Sequence, residues 1–441
     1  MPDRLLLRSL PRRNRLVLSM SPEPKVYVMR QKYKRYIVYG IFIIFGTIFY
    51  RHSSGDDLSS SYIACKLFEY KEVSHLYDYD PVLFHIIKSD IWEKTARTAH
   101  FLGTMHPYVQ TPLWGYSLQP ICASINFFWF KILFLFLSLF SISIMMEITA
   151  LLWAPKFLSP RLMLCALGCM LFTEPLIYAL KLVQTHSIFM ALSLLAFSYN
   201  QKRRDFYAGG LLSYAASVKI TPAFIIIYWF FRGKLKSVFW FFVWSIFIII
   251  LTILCVGMNI FFDFINSMSR VSHVLLHAIN NQSFSAWASY STEYNKELLN
   301  WKIFEINSDI KILSTVLMVV FLSFLGYMGR VWKDGTTELA SLISITVFSP
   351  IAWSHYYIIL FPAILVILNK GGFVNYTICF IVFISNTCVV SINYWHPIIH
   401  KHTILYSELY SAILTIIALI GCRFPLFRAP LNLPRLPLMK R

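Results

Sequence analysis

Apolar residues run along this chain in blocks too continuous for one face of a soluble helix. Tyr36 to Tyr50 is one block, Ile132 to Trp153 is interrupted only by Glu147, and Ser237 to Phe262 holds no charge. Lys311 to Tyr327 and Phe373 to Tyr394 repeat the pattern. A helix crosses the hydrocarbon core of a bilayer in about 20 such residues. The pattern therefore predicts an all-α chain, a polytopic transmembrane bundle with spans near 36–50, 125–152, 162–180, 187–199, 207–218, 221–231, 238–260, 311–330, 338–352, 355–369, 372–392 and 404–422. That is about twelve spans within a transmembrane domain over 36–422, flanked by tails 1–35 and 423–441.

Composition agrees with this reading. Of 441 residues, 57% are hydrophobic, 17% aromatic and only 14% charged, a balance that soluble domains do not have. The net charge of +19 changes the picture through its placement. Met1 to Arg35 carries ten Lys or Arg, and Arg423 to Arg441 carries five with no acid. Further clusters stand at Lys202-Arg203-Arg204 and at Arg232, Lys234 and Lys236. Basic residues flanking spans mark the cytoplasmic side, which puts both termini inside a cell inner (plasma) membrane. A nucleic-acid face would interleave aromatic and basic residues within a foldable domain, and these short tails do not. No cleavage site of small residues follows the first block, so no signal peptide is expected. The eight Cys are scattered without a CxxC pair, and are read as small core- or lipid-facing residues, forming neither a disulfide frame nor a metal site.

The charge rule also bears on residues 207–231, which form either one long span or a hairpin of two short helices. A single span puts the two basic clusters on opposite sides; a hairpin with its apex at Lys219-Ile220-Thr221-Pro222 puts both inside, and is favoured. The outer face then carries loops 51–124 and 261–309 and short connections at 181–186, 350–355 and 393–402. Polar residues at the membrane edge are costly and tend to be functional. Asp56 and Asp57 follow the first block: one of them is a general base for a hydroxyl, or the pair is a solvated helix cap. Lys219 is either a snorkelling lysine or a phosphate contact at a helix break. His355, after Trp353, is a hydrogen-bond donor to an anion or part of an interfacial belt. The run Asn280-Asn281-Gln282-Ser283 makes a sugar-binding amide cluster or a plain turn.

Five stretches, taken together, resemble glycosyltransferase family 87 of the GT-C superfamily. Asp57-Leu58 through Tyr62-Ile63-Ala64, then Leu76-Tyr77-Asp78, resembles the family's first outer loop. Tyr108-Val109-Gln110-Thr111-Pro112 resembles its Tyr-x-Tyr-x-Pro segment, with Gln110 and Thr111 departing; Gln184-Thr185-His186 resembles Gly-Gln-x-Asn less closely. Ala208-Gly209-Gly210-Leu211 through Lys219-Ile220-Thr221-Pro222 is similar to the Gly-Leu and Lys-x-x-Pro signature. Asn281-Gln282-Ser283 and Ser349-Pro350-Ile351-Ala352-Trp353-Ser354-His355 resemble its last motifs, with Tyr356 where the family has a second His.

The resemblance implies a GT-C-like fold and a polyprenyl-phosphate sugar donor, mannose in the best-known members and arabinofuranose in others. The acceptor is a lipid or a glycan, and no cofactor or metal is required. It implies Asp57 as base, with Asp56 as the alternative, Lys219 and His355 on the donor phosphate, and Tyr62, Gln184, His186, Asn281, Gln282 and Trp353 around the substrates. The departures bear on which sugar is used. A lipid-linked sugar flippase shares the spans and the basic inner loops but needs no carboxylate base in the first outer loop.

Overall fold

Helices form where the apolar blocks lie, and they stop at glycine, proline and charged segments. In the computed structural model, residues 24–80, 83, 87–278, 280–292, 302–395 and 406–424 are described. The two basic tails therefore fall largely outside the described residues, as do parts of the 261–309 loop and of the 393–402 connection.

The first half holds α1 (Pro24–Tyr50), α2 (Asp56–Glu69), α3 (Asp90–Thr98), α4 (Pro112–Ser124), α5 (Phe127–Leu152), α6 (Pro160–Met170), α7 (Glu174–Leu182), α8 (His186–Gln201) and α9 (Asp205–Val218). A 3-10 turn, Thr221–Phe224, leads into α10 (Ile225–Phe231), α11 (Leu235–Val256) and α12 (Met258–Val271). Next come β1 (Val274–His277), α13 (Phe284–Thr292) and β2 (Lys302–Glu305). The two strands pair antiparallel, Val274 opposite Glu305 and His277 opposite Lys302. The chain ends with α14 (Ser308–Met328), α15 (Thr336–Val347), a 3-10 helix Ser354–Ile359, α16 (Leu360–Lys370), α17 (Phe373–Trp395) and α18 (Ser407–Gly421).

The expected all-α class holds, with a single short hairpin added. The expected twelve spans do not. Among the described residues three helices, α5, α11 and α14, are long and apolar enough to cross a bilayer, or four if α6 and α7, bent by 71°, act as one. The physical cause is that hydropathy reads through helix breaks. Pro350 separates α15 from the next turn, and Gly371 and Gly372, at φ 74° and 99°, separate α16 from α17 in a conformation only glycine adopts freely. The resulting α15, α16 and α18 have 12, 11 and 15 residues, short of a full crossing. Apolar side chains on α11 face outward, among them Phe239, Ile246 and Leu254 at 60%, 58% and 78% exposure. An apolar helix left so bare suits lipid rather than water.

Residues 207–231 have the hairpin arrangement, and the place of α11 shows it. Helices α9 and α11 lie side by side in the same direction: a Cβ on Gly209 would stand 2.6 Å from Phe241 N, and Ser213 Oγ is 2.9 Å from Ser245 Oγ. The missing side chain at Gly209 is what lets the two backbones approach. The intervening chain must turn back, and it does so at Lys219, the extended residue that ends α9. Both basic clusters consequently share one end of the fold, where Lys234 Nζ approaches Asn200 O at 3.5 Å and Asn200 Nδ2 donates to Ser237 Oγ at 2.7 Å.

The cysteine expectation is overturned at one pair. Cys65 on α2 and Cys122 on α4 form a disulfide, with Cα atoms 6.4 Å apart. Their sequence separation of 57 gives no motif to read. The packing of α2 on α4, where Trp114 Nε1 reaches Ser61 Oγ at 3.3 Å, brings them together.

Candidate active site

The site begins with a backbone constraint. Gly55 precedes α2 at φ 67°, a left-handed conformation that any Cβ would strain, and its N–H donates to Lys181 O at the end of α7, 3.2 Å away. A Cβ here would also stand 3.0 Å from Lys131 Cδ. The next two residues, Asp56 and Asp57, thus start α2 at a fixed place beside α7. Both carboxylates lie in the first turn, where the helix dipole favours negative charge. Ser59 Oγ donates to Thr104 O at 2.9 Å and ties the 99–111 loop to the same turn. That loop delivers His106, whose Nδ1 is 2.9 Å from Asp57 Oδ1. Burial alone would lower the His106 pKa; the hydrogen bond and charge of Asp57, with the charge of Asp56, outweigh it and hold the imidazole above its ordinary value.

More of the lining comes from the hairpin apex and the 3-10 helix that starts at Ser354. Lys219 Nζ donates to Tyr356 Oη at 3.0 Å and stands 4.4 Å from the centre of that ring. Tyr356 in turn stacks on His186 with centroids 4.1 Å apart. His355 is buried, at 1% exposure, and neither ring nitrogen has a partner. Buried polar atoms are seldom left so, and an anionic oxygen in the cavity would satisfy one of them.

These walls enclose a cavity of about 510 Å³. Of the residues expected from sequence, Asp56, Asp57, Gln184, Lys219, Trp353 and His355 line it. The other four sit behind it. Tyr62 is buried against Phe127 and Phe130, its ring 5.3 Å from each. His186 supports Tyr356 by stacking. Asn281 is spent on backbone: its Oδ1 accepts from Ala352 N at 3.0 Å and its Nδ2 donates to Leu276 O at 2.8 Å. Gln282 N donates to Ala352 O at 2.7 Å, and Gln282 O accepts from Tyr357 Oη at 2.6 Å. Asn281 and Gln282 are therefore buried scaffold, stitching one motif to the other and fixing where His355 stands. Of the 280–283 run, Asn280 lines the cavity and Asn281 and Gln282 do not.

The sequence reading counted His106 only among the polar residues of the outer face and gave no role to Tyr178 or Tyr356; all three line the cavity, as does Asn280 of the amide run. Tyr356 had a signal, its place as a substitute for the family's second His. His106 had only its position on the outer side. Among the described residues no three His, Cys, Asp or Glu side chains gather as ligands for a metal ion.

A carboxylate, a lysine and an imidazole with unbonded nitrogens, sharing one cleft at the edge of an apolar bundle, have the charge pattern for displacing an anionic leaving group with a hydroxyl. Comparison with protein families decides the class. The model of glycosyltransferase family 87 matches residues 112–354, more than half of the chain. The chain belongs to glycosyltransferase family 87. No curated protein and no solved structure matches it. Within this family 87 glycosyltransferase, the matched segment contains Gln184, Lys219, Asn281, Gln282 and Trp353, and it ends at Ser354; Asp57 and His355 lie outside it. The cavity is thus built partly from the matched segment and partly from what flanks it.

Proposed function

We propose that this family 87 glycosyltransferase moves a sugar, mannose in our reading, from a polyprenyl-phosphate donor to a hydroxyl of a lipid or glycan acceptor on the outer face of the membrane. Asp57 takes the proton of the acceptor hydroxyl as its oxygen attacks the anomeric carbon. The bond from that carbon to the phosphate oxygen breaks, and its electron pair leaves on the phosphate. Lys219 and His355 donate to that phosphate as its charge develops. Attack opposite the leaving group inverts the carbon.

The observation that carries this reading is that one cavity is lined by Asp57 together with Lys219 and His355. Two further facts support it. The disulfide between Cys65 and Cys122 suits an oxidising compartment, which the outer face of a membrane meets and the cytosol does not. Both basic clusters lie at the end of the α9–α10 hairpin away from Lys219, as cytoplasmic loops should if the cavity opens outward.

The test is transfer itself. Purified protein in lipid is incubated with radiolabelled polyprenyl-phosphate mannose and extracted membrane lipids. Labelled sugar in the acceptor fraction is the expected result. Transfer from polyprenyl-phosphate arabinose alone would correct the sugar, and no transfer from either donor by well-folded protein would overturn the donor class.

A further inference from the structure

We propose that His106 is the positioning residue of the Asp57 base, holding one carboxylate oxygen so that the other takes the acceptor proton. This rests on the reading of Asp57 given above. Three observations lead to it. His106 Nδ1 lies 2.9 Å from Asp57 Oδ1, inside ordinary hydrogen-bond range. Both residues line the same cavity. Each side chain is only about a fifth exposed, at 20% and 22%, so the contact is shielded and differs from a surface pair.

A carboxylate at the first turn of a helix is otherwise free to rotate. Asp57 has its backbone fixed by Gly55, but a rotating carboxyl group presents no constant oxygen to a hydroxyl. A hydrogen bond from His106 Nδ1 selects one rotamer and assigns the two oxygens different tasks. Oδ1 accepts from the imidazole, and Oδ2 is left for the acceptor. In the transfer step the acceptor O–H proton passes to Oδ2, while the His106 Nδ1 proton stays where it is. The proton later leaves Oδ2 for solvent, and the pair is restored.

The imidazole also sets the strength of the base. When protonated it is a full counter-ion to Asp57, which makes the carboxylate a poorer proton acceptor; when neutral, with its remaining proton on Nδ1, it still orients Oδ1 and leaves Asp57 more basic. The other charged or titratable groups around the pair are Asp56 on α2, Lys131 on α5, Tyr178 on α7, and Lys219 and His355 in the same cavity. Of these, Asp56 acts with Asp57 to favour the imidazolium. Transfer therefore rises with pH as His106 loses its proton, at a pH above the ordinary histidine value.

The experiment compares His106→Gln and His106→Ala with the wild type, measuring kcat/KM from about pH 5.5 to 8.5. Glutamine supplies a donor that does not titrate. His106→Gln keeps much of the rate and loses the rising limb. His106→Ala loses about tenfold to a hundredfold, as misplacing a reacting group by about 1 Å does. A wild-type limb that persists unchanged in His106→Gln overturns the proposal, and so does a full rate in His106→Ala. A second readout needs no activity: hydrogen–deuterium exchange at the imidazole C2 position, followed by mass spectrometry, gives the His106 pKa in wild type and in Asp57→Asn. It should fall in the variant, and no fall means that the two side chains are not paired. If Asp57→Asn transfers sugar normally while the His106 pKa does fall, the pairing stands and the base assignment above is what fails.

Discussion

The two ends of the α9–α10 hairpin each hold a cation, Arg232 buried at one and Lys219 half-buried at the other, and they treat it in opposite ways. At the basic end, Arg232 is bonded to Glu338 and, at 2.7 Å, to Tyr228 Oη. Tyr228 Oη meets Thr337 Oγ1 at 2.9 Å, Thr337 reaches Glu338 Oε2 at 3.1 Å, and Gln201 Nε2 donates to Glu338 Oε1 at 3.0 Å. Every member of that network has its counterpart. At the cavity end, Lys219 has a phenol and no carboxylate among the described residues, and neither ring nitrogen of His355 beside it has a hydrogen-bond partner. The difference separates a charge used to hold helices together from a charge kept available. A buried ion pair complete in itself has nothing left for a ligand, whereas an under-partnered cation facing a cavity is completed only when an anion arrives.

The sharpest way to break the comparison is at the carboxylate that shares the cavity with Lys219. Asp57→Asn keeps the shape and removes the proton acceptor. Transfer should fall by about a hundred- to ten-thousandfold, with donor binding and the thermal midpoint nearly unchanged. A variant with normal kcat/KM would show that the cavity does not use this residue as a base, and would leave a flippase as the better account of the outer polar residues.

The next largest effects should fall on different measurements at the two ends. Glu338→Ala leaves Arg232 buried without its counter-charge and should cost about 3–5 kcal/mol of stability, read as a lower denaturation midpoint in detergent. Lys219→Ala should leave that midpoint nearly unchanged and weaken donor use by about 1.5–3 kcal/mol, the worth of one charged hydrogen bond, or roughly ten- to a hundredfold in kcat/KM. If Lys219→Ala unfolds the protein while Glu338→Ala is tolerated, the functional and structural labels belong the other way round.

This contrast explains what the sequence revealed and what it hid. Lys219 was legible because a cation beside a proline break inside an apolar block is costly wherever it lies. Asp57 and His355 were legible as motif residues at span edges. The number of full spans was not, because apolarity continues through Gly371-Gly372 and through Ser349-Pro350 while the helix does not. Nor was the role of Asn281, since an amide that caps backbone groups of a distant segment looks, in sequence, like one that binds sugar. The His106–Asp57 contact and the Cys65–Cys122 bond both depend on how α2 packs on loops and helices that follow it, and no periodicity encodes that packing.

A smaller effect should sharpen the cavity side of the comparison. Tyr356→Phe keeps the ring that stacks on His186 and lies against Lys219, and removes the hydroxyl that accepts the hydrogen bond from Lys219 Nζ. A neutral-partner hydrogen bond is worth about 1 kcal/mol net, so kcat/KM should change by roughly fivefold. The direction tells what the phenol does. A fall means that it helps present Lys219 to the phosphate, and a rise means that it competes with the phosphate for the ammonium group. No change would mean that Lys219 needs no holding.

The smallest effect is expected at Asp56, and its size matters because Asp56 is the alternative base. The residue lies beside Asp57 in the first turn of α2, after Gly55, so it does not itself cap the helix. Its charge stabilises the helix start by about 0.3–1 kcal/mol and adds to the field that raises the His106 pKa. Asp56→Asn should therefore lower the thermal midpoint slightly and leave the maximal rate within a fewfold of wild type. The raised pKa means that the His106 charge is complete below its ordinary value and is lost as pH rises through the higher folded one; removing the Asp56 charge brings that second boundary down. The rising limb of activity should accordingly move to lower pH in Asp56→Asn, while His106→Gln abolishes it. A loss in Asp56→Asn as large as that expected for Asp57→Asn would move the base by one residue, and an unmoved limb would confine the control of His106 to Asp57 alone.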